Sequence, residues 1–342
     1  MRPLAIGAIV CGAIVVAVAG FADHAMAVEG TAGQSSRGAT LRLTATIPLP
    51  HVSGRIDHLT FDPVTSRLFI AALENDTVEV IDTLKGAHLR SVAGFHEPQG
   101  MAAVPDLKGV AVANGDSGTL QMLDGDTLSV RWTSNIGGDA DNVRYDADHE
   151  LLYVACEGGL AAVNPSSGAV VRRIPIAGHP ESFQLQRNGS LMFANLPDAS
   201  QVIVADREAA AVRNRWSTGA CRANYPMALD DSTNRVIVGC RRPATVTIFD
   251  AGTGKVVSST ATVGDTDDLF YDAARKRIYV IGGEGYVDVL DRTADQLKRV
   301  ERLATRSGAR TGLWVADQSR LYVAVRARIG QTAEVRVFEP PH

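Results

Sequence analysis

The sequence predicts an all-β protein, a seven-bladed β-propeller whose blades are four-stranded antiparallel sheets. A short strand-like segment that closes on an acidic or amide residue recurs seven times, ending at residues 82, 124, 164, 206, 250, 291 and 339. Two further apolar segments precede each copy, and a polar one follows most of them. Helical periodicity is weak throughout, and units of about 42 residues have the size of one propeller blade.

Composition fits a large globular domain. The 342 residues are 45% hydrophobic and 21% charged. The 34 basic and 38 acidic side chains are mixed along the chain and give a formal net charge of −4. No basic face is visible, so we do not expect a nucleic-acid partner.

The first 27 residues differ from the rest. Arg2 precedes an apolar run over 4–21, and the small-x-small sequence AMA occupies 25–27. This pattern predicts a secretory signal peptide over 1–27, hence a periplasmic or secreted protein with no integral membrane segment after cleavage. An uncleaved anchor is the alternative, because the apolar run is slightly long. Residues 28–40 are rich in Gly, Ser and Thr and predict a flexible lead, and the propeller spans 41–342.

The last unit has no fourth strand after VRVFE at 335–339. The segment LRLTATIPLP at 41–50 has the right character to supply it. Pairing of these two segments would close the ring and remove its exposed sheet edges. A closed ring needs no partner for stability, so we expect a monomer.

The repeats also resemble a known family. The segments LYVAC, LMFAN and VAVAN, each followed by a turn and a VxVID-like strand, are similar to the YVTN-type repeats of bacterial seven-bladed propellers. The resemblance covers 41–342 and implies the fold. It implies no single function, because such propellers include lactonases, lyases, subunits of cofactor enzymes and surface binding proteins.

Two acidic octets, DADNVRYD at 139–146 and DTDDLFYD at 265–272, begin 126 residues apart, which is three repeat lengths. The first strand of a propeller blade lies nearest the central channel, and the loop leading into it opens on one face. The octets therefore place carboxylates at one mouth of the channel. The last residue of each octet, Asp146 or Asp272, is a typical turn-capping residue.

Alignment of the seven leading loops gives the candidate site. The ligand-binding candidates are Arg55, Asp57, His58, Glu97, Gln99, His179, Glu181, Arg222, Asn224, Tyr225 and Arg310. Converging carboxylates repel one another unless a cation or an arginine neutralises them. The metal candidates are Asp141, Asn142, Asp267 and Asp268, whose oxygen atoms suit Ca²⁺ or Mg²⁺. There are two alternatives. One is a mixed site for a transition metal that includes His58 and His179, and the other is a solvated rim with no ligand.

The sequence contains no Gly-x-Ser-x-Gly elbow, dinucleotide fingerprint, phosphate loop or Cys-x-x-Cys-His motif. It thus has no signature of a serine hydrolase or of a nucleotide, flavin or haem cofactor. We predict an exported binding or scaffold propeller that recognises a small molecule, a metal or an exported protein at this mouth. The alternative is a metal-dependent enzyme of the lactonase or lyase type, with His or Asp as the base.

Three cysteines follow the predicted signal peptide. Cys221 precedes the first strand of the fifth unit and Cys240 ends its second strand, so both sulfurs are expected at the same mouth. Export permits a disulfide between them, with two free thiols as the alternative. Cys156 is expected to be a buried free thiol.

Overall fold

The computed structural model describes residues 39–294 and 296–341. These residues form seven four-stranded antiparallel sheets, and the first strands of successive sheets contact one another around a central channel. The predicted seven-bladed propeller is therefore confirmed. The predicted signal peptide, and residues 28–38 of the predicted lead, lie outside the described residues.

The strands of blades one to four follow the chain from the channel outward. Blade one contains β2 (Leu59–Asp62), β3 (Arg67–Ala72), β4 (Thr77–Asp82) and β5 (Ala87–Ala93). Blade two contains β6 (Pro98–Val104), β7 (Gly109–Asn114), β8 (Thr119–Asp124) and β9 (Val130–Asn135). Blade three contains β10 (Val143–Asp146), β11 (Leu151–Cys156), β12 (Gly159–Val163) and β13 (Val170–Pro175). Blade four contains β14 (Phe183–Leu185), β15 (Leu191–Leu196), β16 (Gln201–Asp206) and β17 (Ala211–Ser217).

The remaining blades follow the same order, apart from the last. Blade five contains β18 (Arg222–Asp230), β19 (Arg235–Arg242), β20 (Ala244–Asp250) and β21 (Val256–Ala261). Blade six contains β22 (Thr266–Asp272), β23 (Arg277–Gly282), β24 (Tyr286–Thr293) and β25 (Gln296–Ala304). Blade seven contains β26 (Gly312–Val315), β27 (Arg320–Val325), β28 (Ala333–Glu339) and β1 (Arg42–Leu49). Short 3₁₀ helices occupy Leu73–Asn75, Pro105–Leu107, Pro197–Ala199 and Ala316–Gln318.

Strand β1 closes the ring as predicted. It pairs antiparallel with β28, from Arg42 opposite Glu339 to Leu49 opposite Ala333. The preceding Thr40 is buried, and its backbone N–H donates a 2.6 Å hydrogen bond to the Glu301 carboxylate of blade six. Residue 40 thus contacts blade six just before β1 begins.

The core lies between neighbouring sheets. Tyr153 of blade three, for example, packs in one buried cluster with Phe183 and Met192 of blade four. The middle strands of each blade are apolar on both faces because both faces are covered by a neighbouring blade. Each large apolar side chain buried in this way stabilises the fold by roughly 1.5–3 kcal/mol.

Acidic residues at the ends of first strands cap the following turns. Asp146 Oδ1 accepts the backbone N–H of His149 at 3.4 Å, and Asp272 Oδ1 accepts that of Arg275 at 3.2 Å. The turn role predicted for these two aspartates is confirmed. Arg207 of blade four also forms a buried ion pair with Asp146 of blade three.

No helix within residues 39–294 and 296–341 is long and apolar enough to cross a membrane.

Candidate functional site

One mouth of the channel is a polar funnel with a volume of about 470 Å³. Most of the predicted site residues meet in its wall. These are Arg55, Asp57, His58, Glu97, Gln99, Asp141, His179, Glu181, Tyr225, Asp267 and Arg310. Four lining residues were not among the predicted site residues: Leu73, Glu74, Asp139 and Arg241. We use the name polar funnel for the space enclosed by these two sets.

Two predicted ligand-binding residues lie elsewhere. Arg222 is exposed at the start of β18, outside the funnel wall. Asn224 is fully buried, and its amide donates 2.9 Å hydrogen bonds to Asn195 Oδ1 and to the carbonyl of Gln201. Asn224 lies one residue before the funnel residue Tyr225, at the place that the buried residues Ile56, Ala140 and Thr266 hold in other blades. Asn224 therefore links blades four and five and is not part of the funnel.

His58 and three polar side chains around it form the floor of the funnel. We call this group, His58 with Asp57, Asn142 and Asp268, the histidine cluster. His58 Nδ1 lies 3.2 Å from Asp268 Oδ1, and its Nε2 lies 3.7 Å from Asp57 Oδ1 and 3.4 Å from the Asn142 amide. Burial disfavours a charged imidazole, but the Asp268 and Asp57 carboxylates outweigh it and raise the pKa of His58 well above its usual value. His58 also lines a second chamber, so this cluster separates the polar funnel from the channel beyond it.

Arginine side chains neutralise the carboxylates of the second octet. Asp267 lies 2.5 Å from Arg241 Nη2 and 2.9 Å from Arg310 Nε. Asp268 accepts the backbone N–H of Gly312 at 2.9 Å in addition to its contact with the histidine. Across the part of the chain that the structure describes, no group of three or more His, Cys, Asp or Glu side chains is arranged to hold a metal ion. The divalent-cation site stays a prediction.

Arg241 is the main residue that the sequence analysis missed. It lies near the end of β19, and its guanidinium stacks 3.7 Å from the ring centroid of Tyr225. The alignment compared only the loops that lead into first strands. Second strands run back to the same mouth, so the residues at their ends also reach the funnel, as Glu74 does after β3. Alignment of these second-strand ends would have included both residues.

Asp141 and Glu181 form an acidic pair from blades three and four. Asp141 is only 4% exposed, and burial, followed by the nearby Glu181 carboxylate, raises its pKa well above the usual range. Burial likewise raises the pKa of Glu181 to about 7. Because two adjacent carboxylates repel in a site with little water, the pair holds a proton near neutral pH.

Three buried polar atoms of the funnel have no hydrogen-bond partner among the described residues: Asp141 Oδ1, Arg55 Nε and His179 Nε2. Their residues are otherwise fixed. Arg55 Nη2 lies 3.1 Å from Asp57, and His179 Nδ1 lies 2.9 Å from Asp139. The proton that Asp141 shares with Glu181 supplies one donor to that pair at neutral pH and below. Buried polar groups are normally satisfied, so these three atoms are exceptions within the funnel wall.

A disulfide supports this part of blade five. Cys221 and Cys240 are bonded, with their Cα atoms 5.4 Å apart. Cys240 directly precedes Arg241, so the bond ties down the strand end that carries this arginine. Cys156 is a buried free thiol, and burial raises its pKa.

Comparison with known proteins agrees with the fold. A solved structure described as the mitotic checkpoint complex matches with a TM-score of 0.75 and 13% identity, over 95% of this chain and 99% of that one. A chain of hydrazine synthase from Kuenenia stuttgartiensis matches with a TM-score of 0.72 and 18% identity, over 83% of this chain and 97% of that one. At these identities the likeness shows the fold alone. No curated protein gives a match.

A family model described as a YNCE-like beta-propeller matches residues 43–266, which is more than half of the chain. This match agrees with the predicted YVTN-type repeats, and it extends from β1 to the start of β22. The chain belongs to the YNCE-like β-propeller family.

Proposed function

We propose that this protein is a binding propeller that holds a small polar molecule in the polar funnel. The observation that carries the proposal is that Asp141, Arg55 and His179, which each have a buried atom without a hydrogen-bond partner, all line one cavity of about 470 Å³. Pockets of roughly 300–1,000 Å³ suit small molecules. Because the sequence predicts a signal peptide, we infer that binding takes place outside the cytoplasm.

The charges of the funnel define the chemistry of the ligand. Its lining contains more carboxyl side chains than arginines, and the buried acceptor Asp141 Oδ1 needs a donor. A charged amine supplies that donor and offsets the excess of carboxylates. The unpartnered N–H of Arg55 needs an acceptor, such as a hydroxyl or carboxylate oxygen. A small molecule with an amine and a nearby oxygen acceptor, such as an amino acid, an amino sugar or an amino alcohol, meets both needs.

The test is a thermal-shift screen of the mature protein, followed by calorimetry. The panel contains amino acids, amino sugars and amino alcohols, each beside its acetylated counterpart, which lacks the charged amine. We expect saturable binding of an amine and at least tenfold weaker binding of its acetylated form. Asp141→Asn should weaken amine binding at least tenfold, whereas Asp148→Asn, at an exposed position of the same blade, should leave it unchanged. Equal binding to wild type and Asp141→Asn would contradict the proposal.

A second candidate is an enzyme that uses the acidic pair for proton transfer. The raised pKa of Glu181, about 7, favours it, because a general acid or base works best near the ambient pH. In this version Glu181 and Asp141 exchange a proton with the substrate, and no metal takes part. The test is turnover of a panel of lactones and cyclic esters between pH 5 and 9. Activity lost in Glu181→Gln would support the enzyme, and a panel without turnover would favour pure binding.

A further inference from the structure

A second chamber of about 600 Å³ lies on the other side of the histidine cluster. Residues of the first strands of blades one, two, three, four, six and seven line it. Its wall is largely apolar and includes Leu59, Phe61, Met101, Phe270 and Leu313. The polar funnel and this chamber therefore differ in character, although both belong to the central channel.

One arginine stands out in this chamber. Arg144 of β10 is half-buried in its wall, and its Nη1 donates a 2.8 Å hydrogen bond to the carbonyl of the adjacent Val143. The guanidinium carbon also lies 5.5 Å from the ring centroid of Phe183. No carboxylate within residues 39–294 and 296–341 forms an ion pair with it, in contrast to Arg241 and Arg310 in the funnel.

The other acidic groups of the chamber have partners other than Arg144. Asp268 contacts His58 and the backbone N–H of Gly312, and Asp106 accepts a 3.1 Å hydrogen bond from the Tyr145 hydroxyl. Burial lowers the pKa of Arg144, and the charges of Asp268 and Asp141 offset this only in part. A guanidinium that is withdrawn from water has four further N–H donors to satisfy once one is used. The chamber thus has an unmatched cation beside an apolar wall.

We propose that this chamber is a second binding site, for a small carboxylate with an apolar body. The carboxylate pairs with the guanidinium of Arg144, whose planar set of donors fits two carboxylate oxygens. The aliphatic or aromatic body lies against Phe61, Phe270 and Leu313. This site is independent of the polar funnel, where the chemistry favours an amine.

The experiment measures, by calorimetry, the binding of benzoate, phenylacetate and hexanoate to the mature protein, which begins after the predicted signal peptide. Benzamide, phenylacetamide and hexanamide serve as neutral counterparts of matched shape. We expect at least one carboxylate to bind saturably and at least tenfold more tightly than its amide. Arg144→Met should reduce carboxylate affinity at least tenfold, and Arg144→Lys should restore part of it. Arg90→Met, at an exposed position of β5, should bind as wild type does.

A second variant guards against misfolding of Arg144→Met. Leu313→Trp keeps the arginine and fills the chamber from blade seven, so it should also weaken carboxylate binding at least tenfold. Three results would overturn the proposal. They are absence of saturable carboxylate binding to folded wild-type protein, equal affinity for carboxylate and amide, and wild-type affinity in folded Arg144→Met or Leu313→Trp.

Discussion

His58 Nδ1 lies 3.2 Å from Asp268 Oδ1, and this contact joins blade one to blade six across the channel. The two residues are 210 positions apart in the chain. Both side chains are largely withdrawn from water, so their attraction is screened less than that of a surface pair. The pair holds together two blades that are not neighbours in the ring, and it also forms the partition between the two cavities.

We expect replacement of His58 by Gln to destabilise the propeller by about 3 kcal/mol at neutral pH, because it leaves the Asp268 carboxylate without its cation and leaves Asp57 with Arg55 alone. The folded pKa of His58 is raised, so its contribution is fully present below the unfolded value of about 6.5 and is lost as the pH rises through the folded pKa. Melting curves between pH 6 and 10 should show an alkaline loss of stability that is smaller in His58→Gln. His96→Gln, at an exposed position, is the control.

Glu181→Gln should stabilise the fold above neutral pH. The folded pKa of Glu181 is about 7, above its ordinary value of 4.5, so stability falls as the pH rises from 4.5 through 7 and the buried carboxyl ionises. The Gln variant has no such ionisation and should gain up to about 3 kcal/mol over wild type at pH 8, but little at pH 4. Chemical denaturation at both pH values measures this difference. Equal gains in stability at both pH values would contradict the raised pKa of Glu181. Glu208→Gln, at an exposed position, should give no gain in stability.

Asp267→Asn should lower stability by about 3 kcal/mol, because it removes the more buried of the two carboxylates that contact Arg241 and Arg310. Asp265 contacts the same two arginines at 3.6 and 3.3 Å but is far more exposed, so Asp265→Asn should cost less than about 1 kcal/mol. Melting of chelator-treated protein with and without Ca²⁺ or Mg²⁺ tests the cation prediction in the same samples. A metal-induced rise in melting temperature that Asp267→Asn abolishes would establish the cation site.

Two leucines of β1 test the closure of the ring. Leu49 is 0% exposed, whereas Leu43 on the same strand is 51% exposed. Leu49→Ala should cost about 2–5 kcal/mol, because it leaves a cavity beside β28. Leu43→Ala should change stability by less than about 0.5 kcal/mol. Urea denaturation of the two variants gives both values, and similar losses in both would argue that β1 contributes little through its buried face.

The disulfide should be detectable directly. Peptide mass spectrometry under non-reducing conditions should find Cys221 linked to Cys240, while Cys156, 2% exposed, reacts with alkylating reagent only after unfolding. Replacing both bonded cysteines by Ser should cost about 3 kcal/mol, since the bond closes a loop of 19 residues. A free Cys221 in native purified protein would show that the bond does not form.

The number of blades and the closing strand could be predicted because each blade repeats the same hydrophobic pattern. Most of the funnel could be predicted too, since the loops that lead into first strands all open on one face. The interaction partners of these side chains could not be predicted from the sequence. Asp267 meets Arg241 because β19 ends beside the loop leading into β22, and this neighbourhood depends on side-chain direction across two blades. Repulsion between carboxylates predicts a cation, and that prediction does not reveal which arginines of adjacent elements lie beside Asp267.

The exact position of a residue along the chain accounts for the other differences. Asn224 lies one residue before the funnel residue Tyr225 and is a buried link between blades. Arg144 was outside the candidate set because it lies within a first strand and not in the loop before it. Its lack of a carboxylate partner depends on the contents of the whole channel, which the spacing of residues does not report.

The pairing of β1 with β28 also sets the order in which the molecule can be completed. Six blades are built from strands that are neighbours in sequence, so each can form as soon as its own segment is available. The seventh blade forms only when Arg42 pairs with Glu339. The backbone of Thr40 must also bond to Glu301, which is 261 residues away in the chain. Contacts of such long sequence separation form slowly, because a large loop must be closed before they are gained. During biosynthesis, therefore, the β1 segment has to stay unpaired until the ribosome has translated the final strand, and a chaperone that covers it during that interval would favour a correctly closed ring.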